Sequence, residues 1–272
     1  MTDLATLQAD ALQRIDDAPD ADALETLRVD NTLTGCPQGI RRFRRFLARR
    51  HDFGFIVATG RSIVEARRLV RDWGLPQPLA WITSVGTEIY VQDNGALRLD
   101  DAFSQIIRRD WDPDAIDRVV EDHPYLVAQP CYEQRAYKRS FFADTAECAL
   151  KIEHALRDAN IAARVVFSHG HLLDILPPDA GKAAAMRHVA QHFGVPSASV
   201  FAAGDSGNDV DMLTACENAI LVANHAEEVA SLANRSNVYR AQRGNAAGAL
   251  EGVLAHHRAR QLRARQPGVV SA

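Results

Sequence analysis

The sequence predicts an α/β fold whose parallel sheet is interrupted by an inserted second domain. Three observations predict it. Strand and helix patterns alternate from Thr26 to Ser84, two further buried strand patterns return at Val200 to Ala203 and Ala219 to Val222, and from about Gln92 to His171 the pattern changes character. Regular strand–helix alternation builds a parallel sheet covered on both faces. A long stretch that separates its two halves is most simply a domain inserted into one chain connection.

The elements follow in order. Residues 1 to 20, with Leu4, Leu7, Ala11 and Ile15 at helical spacing, read as an extra amphipathic helix. Thr26 to Val29, Phe53 to Ala58 and Leu79 to Ser84 are the first strands. Helices are expected at Gly39 to Arg50 and at Ser62 to Trp73, the latter opened by a Ser62/Glu65 capping box. In the insertion, Asp112 to Asp122 and Ala146 to Leu156 read as helices, and Ala136 to Phe142, Ala163 to Ser168 and Leu172 to Leu176 as strands. The expected division is a helical extension at 1–24, a core domain from 25–91 and 176–258, an inserted α/β domain at 92–175, and a loose tail at 259–272.

Composition excludes several classes of function. The 31 basic and 35 acidic residues are interspersed and sum to −4, so no nucleic-acid partner is expected. The arginines at 41, 42, 44, 45, 49 and 50 read as one solvated helix face. No apolar run approaches the ~20 residues of a membrane span, and the acids near the start replace a secretory leader's basic, apolar pattern. A cytoplasmic protein without membrane partners is therefore expected. Cys36, Cys131, Cys148 and Cys216 lack metal-site spacing and read as idle thiols.

Polar groups gather where strands end. "IVATGRS" sets Thr59 and Gly60 beyond a buried strand and before a helix N-terminus, where N–H groups and the helix dipole favour an anion. "DAGKAAAM" starts another helix with Lys182, a mobile positive charge. "FAAGDSGNDVDML" places Asp205 and Asp209 four apart across a glycine-containing turn, a pattern suited to a hard divalent cation. In a doubly wound sheet all of these emerge at the carboxyl edge, where ligands bind. Phosphate and Mg²⁺ chemistry is the inference.

The ordered set "VDNTLTG", "ATGRS", "GK" and "GDSGND" resembles the four motifs of the haloacid dehalogenase (HAD) superfamily. "SVGTEIY", "AYKRSFF" and "HLLDILPPDAGKAAAM" resemble its sucrose-phosphate phosphatase branch and the related C-terminal domain of sucrose-phosphate synthases. The resemblance covers roughly residues 25 to 255. It implies a Rossmann-like core with an inserted α/β cap of the C2 type, a phosphorylated disaccharide of the sucrose 6-phosphate class as ligand, Mg²⁺ as cofactor, and sucrose-phosphate synthase as a possible partner. Carried over by position, Asp30 takes the acid/base place with its carbonyl toward the metal. Thr32, Thr59, Gly60, Lys182 and Asn208 would hold phosphate, and Asp205 and Asp209 would hold Mg²⁺ with Asp30. Gln129, Lys138, Ser140 and Glu88 would face the sugar, while Ser84, Gly86 and Glu88 also lie at the hinge between core and cap.

One position breaks the pattern: the nucleophile's place falls on Arg28. A guanidinium stays protonated and offers no lone pair, so it cannot accept a phosphoryl group. Losing a covalent nucleophile costs on the order of 10⁶ in rate in serine proteases. The expected protein is a sugar-phosphate binder with impaired hydrolysis. Its alternative is an active Mg²⁺-dependent phosphatase using a displaced carboxylate, with Asp30 as nucleophile and Thr34 as the motif threonine. That register needs a shift of about 6 to 7 Å along the strand. A purely structural interaction module is the third reading.

Overall fold

The computed structural model describes residues 32–50, 52–93 and 95–264. The expected strand Thr26 to Val29, the helix at 1 to 20 and the end of the tail lie outside the described residues.

The first described helix, α1 (Pro37–Ala48), begins with proline, whose missing N–H is no loss in a first turn. It buries Ile40 and Phe43 and leaves Arg41, Arg42, Arg44, Arg45 and Arg49 in solvent, as the solvated-face reading requires. Strand β1 (Ile56–Ala58) follows, then α2 (Ile63–Asp72), whose Ser62/Glu65 capping box is formed in both directions. Next come β2 (Ala80–Thr83), β3 (Glu88–Asp93), β4 (Ala96–Leu99) and α3 (Asp101–Ile107).

These strands form one sheet in the order β1-β2-β3-β4. β1 and β2 run parallel, with Ile56 opposite Ala80, whereas β3 and β4 return antiparallel. The reversal after β2 is made by a tight turn at Ser84–Gly86 with three consecutive left-handed residues: Ser84 (φ 51°), Val85 (φ 60°) and Gly86 (φ 83°). Gly86 is required there, because a Cβ would stand 2.4 Å from the Lys182 nitrogen. Two non-glycine residues in that region cost on the order of 1–3 kcal/mol each, an arrangement found mostly where function fixes the backbone.

The cap begins with α4 (Pro113–Glu121), continues through β5 (Val127–Ala128), β6 (Arg139–Phe142), α5 (Ala146–Asp158) and β7 (Arg164–Ser168), and ends with β8 (Leu172–Leu176). Its sheet is antiparallel, ordered β5-β6-β8-β7. Ile116, Phe141, Ile152, Leu173 and Ile175 form its own hydrophobic core. Residues 92–99, by contrast, extend the core sheet through β3 and β4, and Phe103 and Ile107 of α3 pack into the core cluster. The cap's own packing therefore starts near Trp111 instead of at 92.

The chain re-enters the core at α6 (Lys182–His192), then β9 (Phe201–Gly204), α7 (Val210–Ala215), β10 (Asn218–Leu221), β11 (Val238–Arg240) and α8 (Asn245–Ala264). β9, β10 and β11 form a parallel sheet. Residues 259–264, read as loose tail, continue α8 as helix.

Candidate functional site

The core half of the site is assembled from four chain segments. Thr59 follows β1, and its N–H donates to the Ile82 carbonyl while Val85 donates to the Thr59 carbonyl. The loop thus locks to the end of β2, burying Thr59 at 2 % exposure. The Thr59 hydroxyl accepts from the Arg61 N–H, and a hydroxyl used as acceptor keeps its own proton to donate. Gly60 lies against Asn208, whose amide nitrogen stands 3.2 Å from where a Cβ would be. The close approach of Gly86 to Gly181 fixes the start of α6 and with it Lys182.

Lys182 is 3 % exposed, and its ammonium donates to Asn208 Oδ1 and to Asp209 Oδ1, both at 2.7 Å. The other oxygen of Asp209 accepts from the Asp205 and Ser206 N–H groups at 3.0 and 3.3 Å. Both oxygens of Asp209 are thus engaged, one by the Lys182 ammonium and the other by the loop backbone. Asp205, buried beside it, accepts a hydrogen bond from the Thr32 hydroxyl. Thr32, Thr59, Gly60, Lys182, Asn208, Asp205 and Asp209 therefore converge. Among the described residues no group of three or more His, Cys, Asp or Glu could hold a metal ion. Arg28 and Asp30 lie outside the described residues.

The cap half centres on a second buried lysine. Lys138, also 3 % exposed, lies 3.2 Å from Asp174 and 3.5 Å from Glu133. Ser140 faces Asp174 across the β6–β8 pair and donates to the same oxygen at 2.6 Å. Burial raises the Glu133 carboxyl above its ordinary value; Lys138 pulls it back, and Glu65 and Asp174 push it up again. Glu65 belongs to the core helix α2, so the cap cluster looks across at the core site.

Gln129 is placed differently, because its side-chain amide donates to the Phe141 carbonyl at 2.8 Å and holds strand edges together. Glu88 begins core strand β3 and lies outside the cap sheet. It takes a 2.8 Å ion pair from Arg135 in the cap and neighbours Thr83 and Tyr90. Burial, reinforced by the Glu88 charge, pushes the Tyr90 phenol up. Asp174 escaped the sequence reading, although a lone acid inside the apolar run "LLDIL" is itself a signal.

Comparison with known proteins decides the family. The model for sucrose-6F-phosphate phosphohydrolase matches residues 24–258. The chain belongs to the sucrose-6F-phosphate phosphohydrolase family. Within that family and its HAD relatives, it is 31% identical over 232 residues to mannosylfructose-phosphate phosphatase of Agrobacterium fabrum, covering 83% of this chain and 93% of the relative. Probable sucrose-phosphatase 1 of Arabidopsis thaliana is 29% identical over 189 residues, which are 67% of this chain but only 44% of that longer protein.

The sucrose-phosphatase of Synechocystis sp. PCC6803, solved with sucrose and phosphate, superposes with a TM-score of 0.78 at 30% identity, over 84% of this chain and 95% of the other. A haloacid dehalogenase-like hydrolase from Bacillus subtilis shares the fold at a TM-score of 0.58 and 18% identity, over 84% of this chain and 90% of the other. The HAD-type α/β fold with a cap, read from the motifs, is the fold observed. No helix among the described residues is long and apolar enough to cross a membrane.

Proposed function

We propose that this member of the sucrose-6F-phosphate phosphohydrolase family binds a phosphorylated disaccharide of the sucrose 6-phosphate class between core and cap, and that Arg28 impairs its hydrolysis. The phosphoryl group sits among Thr32, Thr59, Gly60, Lys182 and Asn208, and the sugar lies against Lys138, Ser140 and the carboxylates beside them. The observation that carries the reading is the convergence of Lys182, Asn208 and Asp205 at one sheet edge, combined with arginine four residues before Thr32.

The chemistry of the parts supports this division. A dianionic phosphate needs positive charge and N–H or O–H donors. Lys182, the Thr59 hydroxyl and the N-terminus of α2 offer them. Sugar hydroxyls donate and accept, which suits the excess of carboxylate around Lys138. Asp205 and Asp209 are hard oxygen donors suited to Mg²⁺, with Asp30 completing the set. Bound Mg²⁺ would neutralise phosphate charge. Arg28 adds a fixed cation beside that place, so it weakens the metal's hold while offering a bidentate contact to phosphate or to Asp205. It cannot form the acyl-phosphate.

A second reading, an active Mg²⁺-dependent phosphatase with Asp30 as nucleophile, is favoured by one contact: Thr32, two residues from Asp30, already reaches Asp205. A role beside a sucrose-phosphate synthase and a cytoplasmic setting belong to the same proposal. Titration calorimetry with sucrose 6-phosphate, sucrose and inorganic phosphate tests binding. Measurable heat with the phosphorylated sugar, lost in Lys182→Met, supports it; no heat with any of the three favours a purely structural module.

A further inference from the structure

Glu228, in the short helical stretch Glu227–Asn234 that follows β10, is exposed and belongs to none of the motifs. Its carboxylate nevertheless accepts three backbone N–H groups. One oxygen accepts from Gly207 at 2.6 Å and from His169 at 3.0 Å, and the other accepts from Gly170 at 3.3 Å. Gly207 lies inside the loop that carries Asp205, Asn208 and Asp209. His169 and Gly170 form the β7–β8 turn of the cap, with φ of 56° and 71°. A single core carboxylate therefore holds the acid loop and the tip of the cap at once.

The surroundings make this junction rigid. A Cβ on Gly207 would stand 2.2 Å from the Phe167 carbonyl and 3.1 Å from the Ser168 Cα, so the acid loop packs directly on cap strand β7. Further along β7, the Arg164 guanidinium donates to the Ala180 carbonyl at 2.9 Å and lies 3.4 Å from Asp211. Asp211 in turn accepts from the Ala183 N–H, next to Lys182. β7 thus touches both the segment that presents Lys182 and the loop that presents Asn208 and Asp209.

We propose that Glu228 is a positioning residue that couples the docked cap to the acid loop, so that seating of the cap and the geometry around Asp205, Asn208 and Asp209 change together. Its purpose rests on the phosphate-site reading above; its geometry does not. Movement of the cap turn pulls on the carboxylate that holds the Gly207 N–H, and a ligand that settles the loop steadies the turn.

Amide exchange on the full chain, followed in fragments covering 164–172, 182–192 and 204–209, tests this. In Glu228→Ala the cap turn and the acid loop are expected to exchange about tenfold faster together, the size set by hydrogen bonds to a charged acceptor, with 182–192 unchanged. Glu228→Gln keeps one carbonyl oxygen for Gly207 and His169 and is expected to fall between the two, which guards against a variant that merely folds badly. Inorganic phosphate is expected to slow exchange in the cap turn of the wild type but not of Glu228→Ala, a response that a local structural contact would not give. Acceleration confined to one segment, or equal phosphate protection of the turn in both proteins, overturns the inference. If the two segments accelerate together while phosphate protects nothing in the wild type, the link stands and the phosphate site fails.

Discussion

Two lysines are buried to the same degree in this molecule, one in the core and one in the cap, and their surroundings differ. Lys182 meets one carboxylate and one neutral amide at 2.7 Å, and that carboxylate is fixed by backbone N–H groups. Lys138 meets two carboxylates at 3.2 and 3.5 Å, one shared with a serine hydroxyl. The core lysine is held by two short contacts to a loop whose carboxylate is fixed by the backbone, whereas the cap lysine lies between two carboxylates, one of them a proton-hungry acid. In the proposed function the difference sorts the two ends of a ligand, the Lys182 ammonium for phosphate and the carboxylate-rich face around Lys138 for hydroxyls.

Replacing each lysine sharpens that contrast. Lys182→Met leaves Asp209 buried without its cation and is expected to lower stability by about 3–5 kcal/mol. Lys138→Met is expected to cost less, about 2 kcal/mol, because Glu133 can take up a proton in its place. Urea unfolding of both variants checks the order, and equal losses would break the comparison.

The pH dependence of the cap gives a smaller effect. Glu133 sits above the ordinary carboxyl value of 4.5, burial being the main cause. The folded protein therefore holds this proton after the unfolded chain has released it, so the Glu133 contribution to stability falls as pH rises through that window. Glu133→Gln is expected to remove this slope, read as the difference between the two melting-temperature curves from pH 4 to pH 7. The smallest effect belongs to Lys151 and Glu147, paired at 2.8 Å on the surface with side chains 56% and 71% exposed. Lys151→Ala should leave stability nearly unchanged despite a distance close to that of the core pair. A loss as large as that of Lys182→Met would mean that distance outweighs burial here.

Much of the fold was legible because local chemistry and tertiary packing agree. The Ser62/Glu65 capping box forms as the sequence implies, and β8 keeps the bounds Leu172–Leu176. The antiparallel return from β2 into β3 was not legible, since its reversal uses Ser84 and Val85 in left-handed conformations that neither side chain advertises. Nor was the end of α8, whose buried Ala246, Gly248, Ala249 and Gly252 let it lie close to β10 but carry little amphipathic signal. At the site, order and spacing brought Thr59, Lys182 and Asp205 together. Spacing alone could not show that Asp209 also holds the Lys182 ammonium and the loop N–H groups, contacts that only the folded loop brings together. Glu228 resembles any solvated acid until the fold sets it between two loops.

The central claim is that a guanidinium at position 28 leaves binding in place and disables phosphate release. Phosphate liberated from sucrose 6-phosphate in the presence of Mg²⁺, compared between the wild type and Arg28→Asp, tests it most directly. The account predicts turnover in Arg28→Asp at least several orders of magnitude above a barely detectable wild type, on the scale of about 10⁶ known for a lost nucleophile. Efficient Mg²⁺-dependent turnover by the wild type, abolished by Asp30→Asn, would contradict it.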